Sequence, residues 1–261
     1  MSDIELSKLN SATKYPSILT YHVLDPEQKG RLTDRLYCSV EESDLILTEK
    51  VDGTNGRIVL MPGGDYVIGS REELLYAKGD RIGNPAQGIV EALKPLAERL
   101  SKEMPVLAVT TLYLEVYGGK IGANAKQYTG NGRIGYRLFD VLTVPEVVFE
   151  WDRPRISDWR ETASAEWWWP ESDLQTLSEA YSVLLTPRMG CTQSDLFPRD
   201  VEGAYKFMKF YVPKTWVDLD GGAGGRPEGL VIRTRDRSFI AKMRFQDYER
   251  TLKRQSTGKR K

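Results

Sequence analysis

Short apolar runs rich in Val, Ile, Leu, Tyr and Phe recur near 44–49, 56–61, 65–70, 106–117, 134–142, 228–233 and 238–244, separated by Gly, Pro or Asp clusters. β-Branched and aromatic residues suit a pleated, half-buried surface, and the separators suit turns. "MPGGDY" (61–66) joins two of the runs as a hairpin. Helical periodicity is confined to two places. Asn84-Pro85 opens one pattern, with Ile89, Leu93, Leu96 and Leu100 on one face and Pro95 predicting a kink or a break. The second spans Pro170 to Leu185, where Leu174, Leu177, Tyr181, Leu184 and Leu185 recur at helical intervals. A mixed α and β domain with mainly antiparallel pairing follows.

The 261 residues suffice for a substantial core, in one large domain or two small ones. Lys plus Arg equals Asp plus Glu at 37 each, so a nucleic-acid partner needs a local basic face rather than a global one. Cys38 and Cys191 have no metal-type spacing and read as two reduced intracellular thiols. The N-terminus "MSDIELSKLN" lacks an apolar signal region, and no run approaches the roughly 20 apolar residues of a membrane span. The expectation is a soluble, cytoplasmic protein. A single histidine, His22, leaves little for a histidine zinc site or a Ser-His-Asp triad, and its place in "LTYHVL" suggests a structural role. Chemistry must come from Lys, Arg, Asp and Glu.

Two stretches stand out by composition. Residues 151–172 carry five of the six tryptophans, with Trp167, Trp168 and Trp169 in a row. A hydrophobic cover over a sheet edge is favoured over a stacking surface for bases. "DGGAGGRPEG" (220–229) lacks the Gly-Lys-Ser/Thr ending of a phosphate loop and reads as a flexible connector.

Charges also appear where a core strand should avoid them. "TEKVDGTNG" places Lys50 two residues before an Asp-Gly corner, at the end of an apolar run. "VIGSREEL" places Arg71 at a strand end, and "LYLEVYGG" sets Glu115 in an apolar run. "EGLVIRT" opens with Glu228, and "FIAKMRF" embeds Lys242 and Arg244. An isolated charge on a half-buried strand is costly unless paired or functional. Together, these lysines, arginines and carboxylates suggest a shared cleft suited to a nucleoside triphosphate and Mg²⁺.

These segments, in this order over roughly residues 49–244, resemble the motifs of the covalent nucleotidyltransferase superfamily of polynucleotide ligases and mRNA capping enzymes. "KVDG" is similar to its nucleophile motif and "SRE" to the short motif that follows. "LEVYG" and "YRLFDV" look like the third pair, "EGLVIR" like the fourth and "AKMR" like the fifth. DNA ligases and capping enzymes typically carry Lys-x-Asp-Gly-x-Arg, whereas this chain has Asn55 at the arginine position, with Arg57 two residues late. "EKVDGTN" is closer to the nick-sealing branch of RNA ligases, found in phages and in kinetoplastid RNA editing, so a phage-encoded enzyme is one source that fits. The resemblance implies an α+β adenylation domain of twisted, mainly antiparallel sheets flanked by helices, with the ATP cleft between them in an ATP-grasp-like arrangement.

The implied reaction has three nucleotidyl transfers. Lys50 takes AMP from ATP, the AMP moves to a 5′-phosphate of RNA, and a 3′-hydroxyl then seals the strand. A free lysine, with a pKa of about 10.4, is protonated at neutral pH, so a nearby Mg²⁺ (or Mn²⁺) and cationic neighbours would have to release the amine. By resemblance, Asp52, Glu115 and Glu228 hold that metal. Lys242 and Arg244 alternate to one face of a strand and grip the α-phosphate. Phe139 stacks on adenine with Asp140 as its supporting partner, and Glu49 helps read the adenine edge. Asn55 and Arg71 match residues that contact the ribose of AMP and the nick.

Only 17 residues follow Arg244, which implies one adenylyltransferase domain (1–245, with the Trp-rich insert 151–172) and a basic tail (246–261) in place of an appended C-terminal domain. The tail "ERTLKRQSTGKRK" reads either as a solubilising extension or as a phosphate clamp. The expected partner is a nicked RNA duplex or RNA/DNA hybrid, with an accessory protein standing in for the missing domain. The competing classes are an ATP-dependent DNA ligase, an adenylyltransferase acting on another acceptor, and a non-catalytic nucleic-acid binding module of the same fold.

Overall fold

The computed structural model describes residues 4–38, 43–80, 88–122 and 124–258. Helix α1 (Leu6–Thr13) leads into a hairpin of β1 (His22–Leu24) and β2 (Leu32–Leu36). Then come β3 (Asp44–Lys50), β4 (Thr54–Met61), β5 (Asp65–Ser70), β6 (Leu74–Ala77), helix α2 (Ile89–Glu103), β7 (Val109–Gly118) and β8 (Ile134–Val144). The second half supplies α3 (Arg153–Thr162), α4 (Glu171–Tyr181), β9 (Arg188–Gln193), α5 (Val201–Tyr211), β10 (Gly229–Thr234), β11 (Ile240–Arg244) and α6 (Phe245–Gly258). Two antiparallel sheets dominate, ordered β6-β5-β4-β7-β8 and β11-β10-β3-β9.

Strand alternation decides which residues of each sheet meet its helices. In the five-stranded sheet Ile58, Leu60, Ile68, Leu112, Leu114 and Val116 pack on Leu93, Leu96, Ala97 and Leu100 of α2. In the four-stranded sheet Leu45, Leu47, Leu230, Ile232, Ala241 and Met243 pack on α5 and α6 through Ala204, Met208 and Tyr248. The alternate residues of the four-stranded sheet face the cleft, while the second face of the five-stranded sheet is also packed, through Val59, Val67, Tyr113, Leu142 and Val144, and meets the cleft at Asn55, Glu115 and Phe139. The chain crosses between the sheets at Val51–Gly53, directly after Lys50. A Cβ at Gly53 would overlap the Val116 carbonyl oxygen, so the tight crossover requires glycine.

Several expectations hold. The 61–66 hairpin is present, with Gly63 at φ 95° and Gly64 at φ 83°, conformations that suit only glycine. His22 is buried and bonded to the Tyr248 hydroxyl (2.7 Å) and the Arg199 carbonyl (3.0 Å), a core histidine. The Trp-rich stretch covers the β8 edge: the Trp169 N–H donates to the Val141 carbonyl, Trp168 is buried, and the Trp169 indole donates to Thr143. No described helix is long and apolar enough to cross a membrane.

Others are corrected. Helix α2 runs through Pro95 unbroken, because Pro95 lies on the exposed side while Leu93, Leu96, Ala97 and Leu100 anchor the buried face. The Asn84-Pro85 opening lies outside the described residues. The 220–229 segment is ordered: the Asp220 carboxylate takes the Thr129 hydroxyl and the N–H groups of Gly130 (2.7 Å) and Gly222 (3.0 Å). Most of the expected basic tail is helix α6. Phe245 and Tyr248 reach the core, and the Thr251 hydroxyl accepts the Leu32 N–H at 2.9 Å, so the helix is part of the fold. Lys259, Arg260 and Lys261 lie outside the described residues.

Candidate active site

The cleft between the sheets encloses about 330 Å³. The four-stranded sheet contributes Thr48, Lys50, Val231, Arg233, Ile240 and Lys242; the five-stranded sheet contributes Asn55, Glu115 and Phe139. Register explains the convergence, since Lys50 pairs with Gly229, Thr48 with Val231 and Val231 with Lys242, while Asn55 lies opposite Glu115. Tyr15, Pro16 and Ile18 close one side. Just beyond them the Lys242 N–H and C=O bond the Leu19 carbonyl and the Tyr21 N–H, which extends the sheet past β11.

Lys50 ends β3 with its ammonium 2.5 Å from Glu228 Oε2. Gly229, beside it, passes so close to β11 that a Cβ would overlap the Met243 carbonyl oxygen, which fixes the height of Glu228 over Lys50. Burial pushes the Glu115 carboxyl up to about 7, with Glu228 and Asp52 adding to the rise and Lys50 opposing it. Burial also lowers the Lys242 ammonium from its usual range, and the charges of Arg244 and Lys50 add to that. Asn55 lines the cleft, and its Oδ1 is a buried acceptor with no partner in the protein.

Four expected site residues stand elsewhere. The Asp52 carboxylate accepts from Asn124, and its N–H donates to the Tyr128 hydroxyl (2.6 Å), so the turn holds it outside the cleft lining. Among the described residues no three His, Cys, Asp or Glu side chains form a metal-binding group. The Glu49 side chain points to the sheet's far side, where it takes the Thr215 hydroxyl (2.5 Å) and the Trp216 N–H (2.7 Å). Both oxygens are engaged there, which leaves its backbone, not its carboxylate, at the cleft. The Arg244 guanidinium is held by Asp247 at 2.7 Å and lies 3.8 Å from Glu228, at the rim. Asp140 is fully buried behind Phe139, between Arg233, Arg237 (2.8 Å) and the Tyr15 hydroxyl (2.9 Å). It does not line the cleft itself, but its partners Tyr15 and Arg233 do.

Phe139 and Arg71 line the cleft as expected; Arg71 also bonds Ser17 at 3.1 Å. Sequence reasoning missed Tyr15 and Arg233. Tyr15 meets Phe139 edge-on, with ring centres 5.0 Å apart. Arg233 donates to the carbonyls of Phe139 and Trp169 at 3.3 Å. Its one sequence signal was a charge inside the apolar run "LVIRT".

Among solved structures, the chain is similar to Naegleria gruberi RNA ligase with PPi, at 14% identity and a TM-score of 0.58, over 93% of this chain and 59% of that one. A variant of the same ligase solved with ATP and Mn matches at 15% identity and TM-score 0.56, over 93% of this chain and 63% of that one. An archaeal ATP-dependent RNA ligase matches at 14% and 0.50, over 87% and 46%. The chain thus spans less than two thirds of the length of these relatives, and at such identities the likeness shows a shared fold. No curated protein matches the chain in sequence. The RNA ligase family model matches residues 43–253, from the first residues of β3 into α6 and across every strand that lines the cleft. The chain belongs to the RNA ligase family.

Proposed function

We propose that this protein is an ATP-dependent RNA ligase that joins a 3′-hydroxyl to a 5′-phosphate, at nicks, through a lysyl–AMP on Lys50. The observation that carries the proposal is a lysine amine set against a carboxylate at 2.5 Å, in a cleft of nucleotide size with an aromatic ring on its wall. In the first step the Lys50 ammonium loses a proton, for which Glu228 is the acceptor in contact. The amine attacks the α-phosphorus of ATP, the bond to the bridging oxygen breaks and pyrophosphate leaves. A 5′-phosphate oxygen of RNA then displaces Lys50 from AMP. Finally a 3′-hydroxyl loses its proton and attacks the activated 5′-phosphorus, releasing AMP.

The ring of Phe139 offers its face to adenine, and Asn55 Oδ1 is an acceptor for a ribose hydroxyl. Lys242 faces the phosphates from the strand beside β10. Arg57, by contrast, is wholly buried under α1 with its guanidinium on Asn10, which supports Asn55 as the residue serving the DNA-ligase arginine position. A divalent ion fits this donor set as Mg²⁺ or Mn²⁺ carried in with the triphosphate. Two carboxylates, Glu115 and Glu228, line the cleft, and such ions keep several waters and need few protein ligands. When bound, the ion neutralises phosphate charge. Incubation with labelled ATP and Mg²⁺, followed by a nicked duplex with a 3′-ribose end, tests the proposal: label should pass from protein to RNA and the nick should close. Faster sealing of an all-DNA nick would move the assignment to DNA ligase.

A further inference from the structure

Helix α5 buries Val201, Ala204 and Met208 against the four-stranded sheet. Its opposite side and the segment after it carry Lys206, Lys209, Phe210, Lys214 and Trp216, all exposed. Phe210 is 77% exposed and Trp216 62%, which places two large aromatic side chains in water within seven residues of each other. Two acidic residues lie on or beside it: Glu202, paired with Lys206 at 2.7 Å, and exposed Asp218, two residues after Trp216. Lys209 lies 4.7 Å over the Tyr205 ring, and Phe210 meets Tyr211 edge-on at 5.3 Å, which leaves a Phe210 face open. Aromatic faces interleaved with lysines are a surface for unpaired bases and their phosphates, since every base can stack and every linkage carries a charge. An apolar protein partner would favour a continuous patch without lysines between the rings.

This surface lies behind the strand that carries Lys50, on the face of the four-stranded sheet opposite the cleft. The residues that follow α5 bond Glu49 through the Thr215 hydroxyl and the Trp216 N–H, and Glu49 immediately precedes Lys50. We infer that the outer face of α5 with Trp216 binds a single-stranded extension of the RNA substrate, beyond the duplex that carries the nick. The inference rests on the ligase reading above and adds to it a preference for nicks that carry an unpaired extension. Nucleotides of that extension stack on Phe210 and Trp216, and Lys209 and Lys214 face their phosphates.

The test uses fluorescein-labelled nicked RNA duplexes, one blunt and one with a ten-nucleotide single-stranded extension, bound to the full-length Lys50→Ala protein to prevent turnover. The extension should tighten binding about tenfold, and adding Phe210→Ala and Trp216→Ala should abolish that gain. Adding Lys209→Ala and Lys214→Ala should lower the log–log salt slope for the extended probe by about 1.4, at about 0.7 per phosphate on single strands. Equal affinity for both probes, or an extension effect that survives the aromatic substitutions, overturns the inference and gives the surface to another occupant such as a protein. The parent chain with Lys50 intact is treated with ATP in parallel. If it forms no lysyl–AMP while extension-dependent binding persists, the ligase reading fails and this RNA surface stands.

Discussion

Asp140→Asn removes one charge from the most deeply buried ionic cluster among the described residues while keeping the side-chain volume. Asp140 is 0% exposed, and the two guanidinium groups it balances, Arg233 and Arg237, are 2% and 8% exposed. Removing one partner of a buried ion pair costs about 3–5 kcal/mol, because the remaining charge stays out of water. For a chain of this length that lowers Tm by roughly 10 °C. The cluster also joins the two sheets: Arg233 and Arg237 come from β10 and the turn after it, Asp140 from β8 and Tyr15 from the segment after α1. The loss should therefore reach function, with a raised KM for ATP as Arg233 loosens its hold on the Phe139 carbonyl. Urea unfolding followed by tryptophan fluorescence measures it well, since Arg237 lies 4.3 Å over the Trp168 ring. Adding Arg237→Met should recover part of the lost stability, because the pair is coupled. A loss below about 1 kcal/mol would refute the claim that this cluster is balanced by Asp140 alone.

Other consequences are separately measurable. The Glu115 carboxyl titrates near 7 in the fold, above its unfolded value, so the folded state binds more protons between those values and stability falls as pH rises through them. Glu115→Gln should therefore be more stable than the parent at pH 8, by about 1 kcal/mol after allowance for solvent in the cleft, with the gap closing toward pH 4; parallel urea melts that show no pH-dependent gap would count against it. Gly229→Ala should cost several-fold more stability than Gly221→Ala, because the first Cβ meets the β11 backbone and the second meets open space; calorimetry of both variants decides. Phe139→Ala should raise the KM for ATP about tenfold with a smaller change in kcat, as the loss of a stacking face predicts in steady-state adenylylation assays.

The strands that build the cleft were legible in the sequence because their alternation and turn chemistry are local. The short β1, β2, β6 and β9 were not: the first three have only three to five residues, too few to show alternation, and β9 pairs with β3 far back in the chain. Lys50, Glu115, Glu228 and Lys242 were found as cleft residues because charges inside apolar runs mark strand faces, whereas Phe139 came from the motif resemblance of "YRLFDV". Asp52, Glu49 and Arg244 went astray for one reason: a motif names a residue but not the neighbour that takes its side chain. Asn124, the 215–216 segment and Asp247 lie between three and 167 residues away in the chain and carry no marker of those contacts. Tyr15 was missed because it belongs to an N-terminal segment that reaches the cleft only through tertiary packing.

The central claim is that Lys50 is the nucleophile that takes AMP from ATP. Intact-mass and peptide mass spectrometry after incubation with ATP and Mg²⁺ test it directly. One AMP on Lys50, absent from Lys50→Ala and diminished in Glu228→Ala, is the predicted result. An adduct on another lysine, or none with either Mg²⁺ or Mn²⁺, would contradict it.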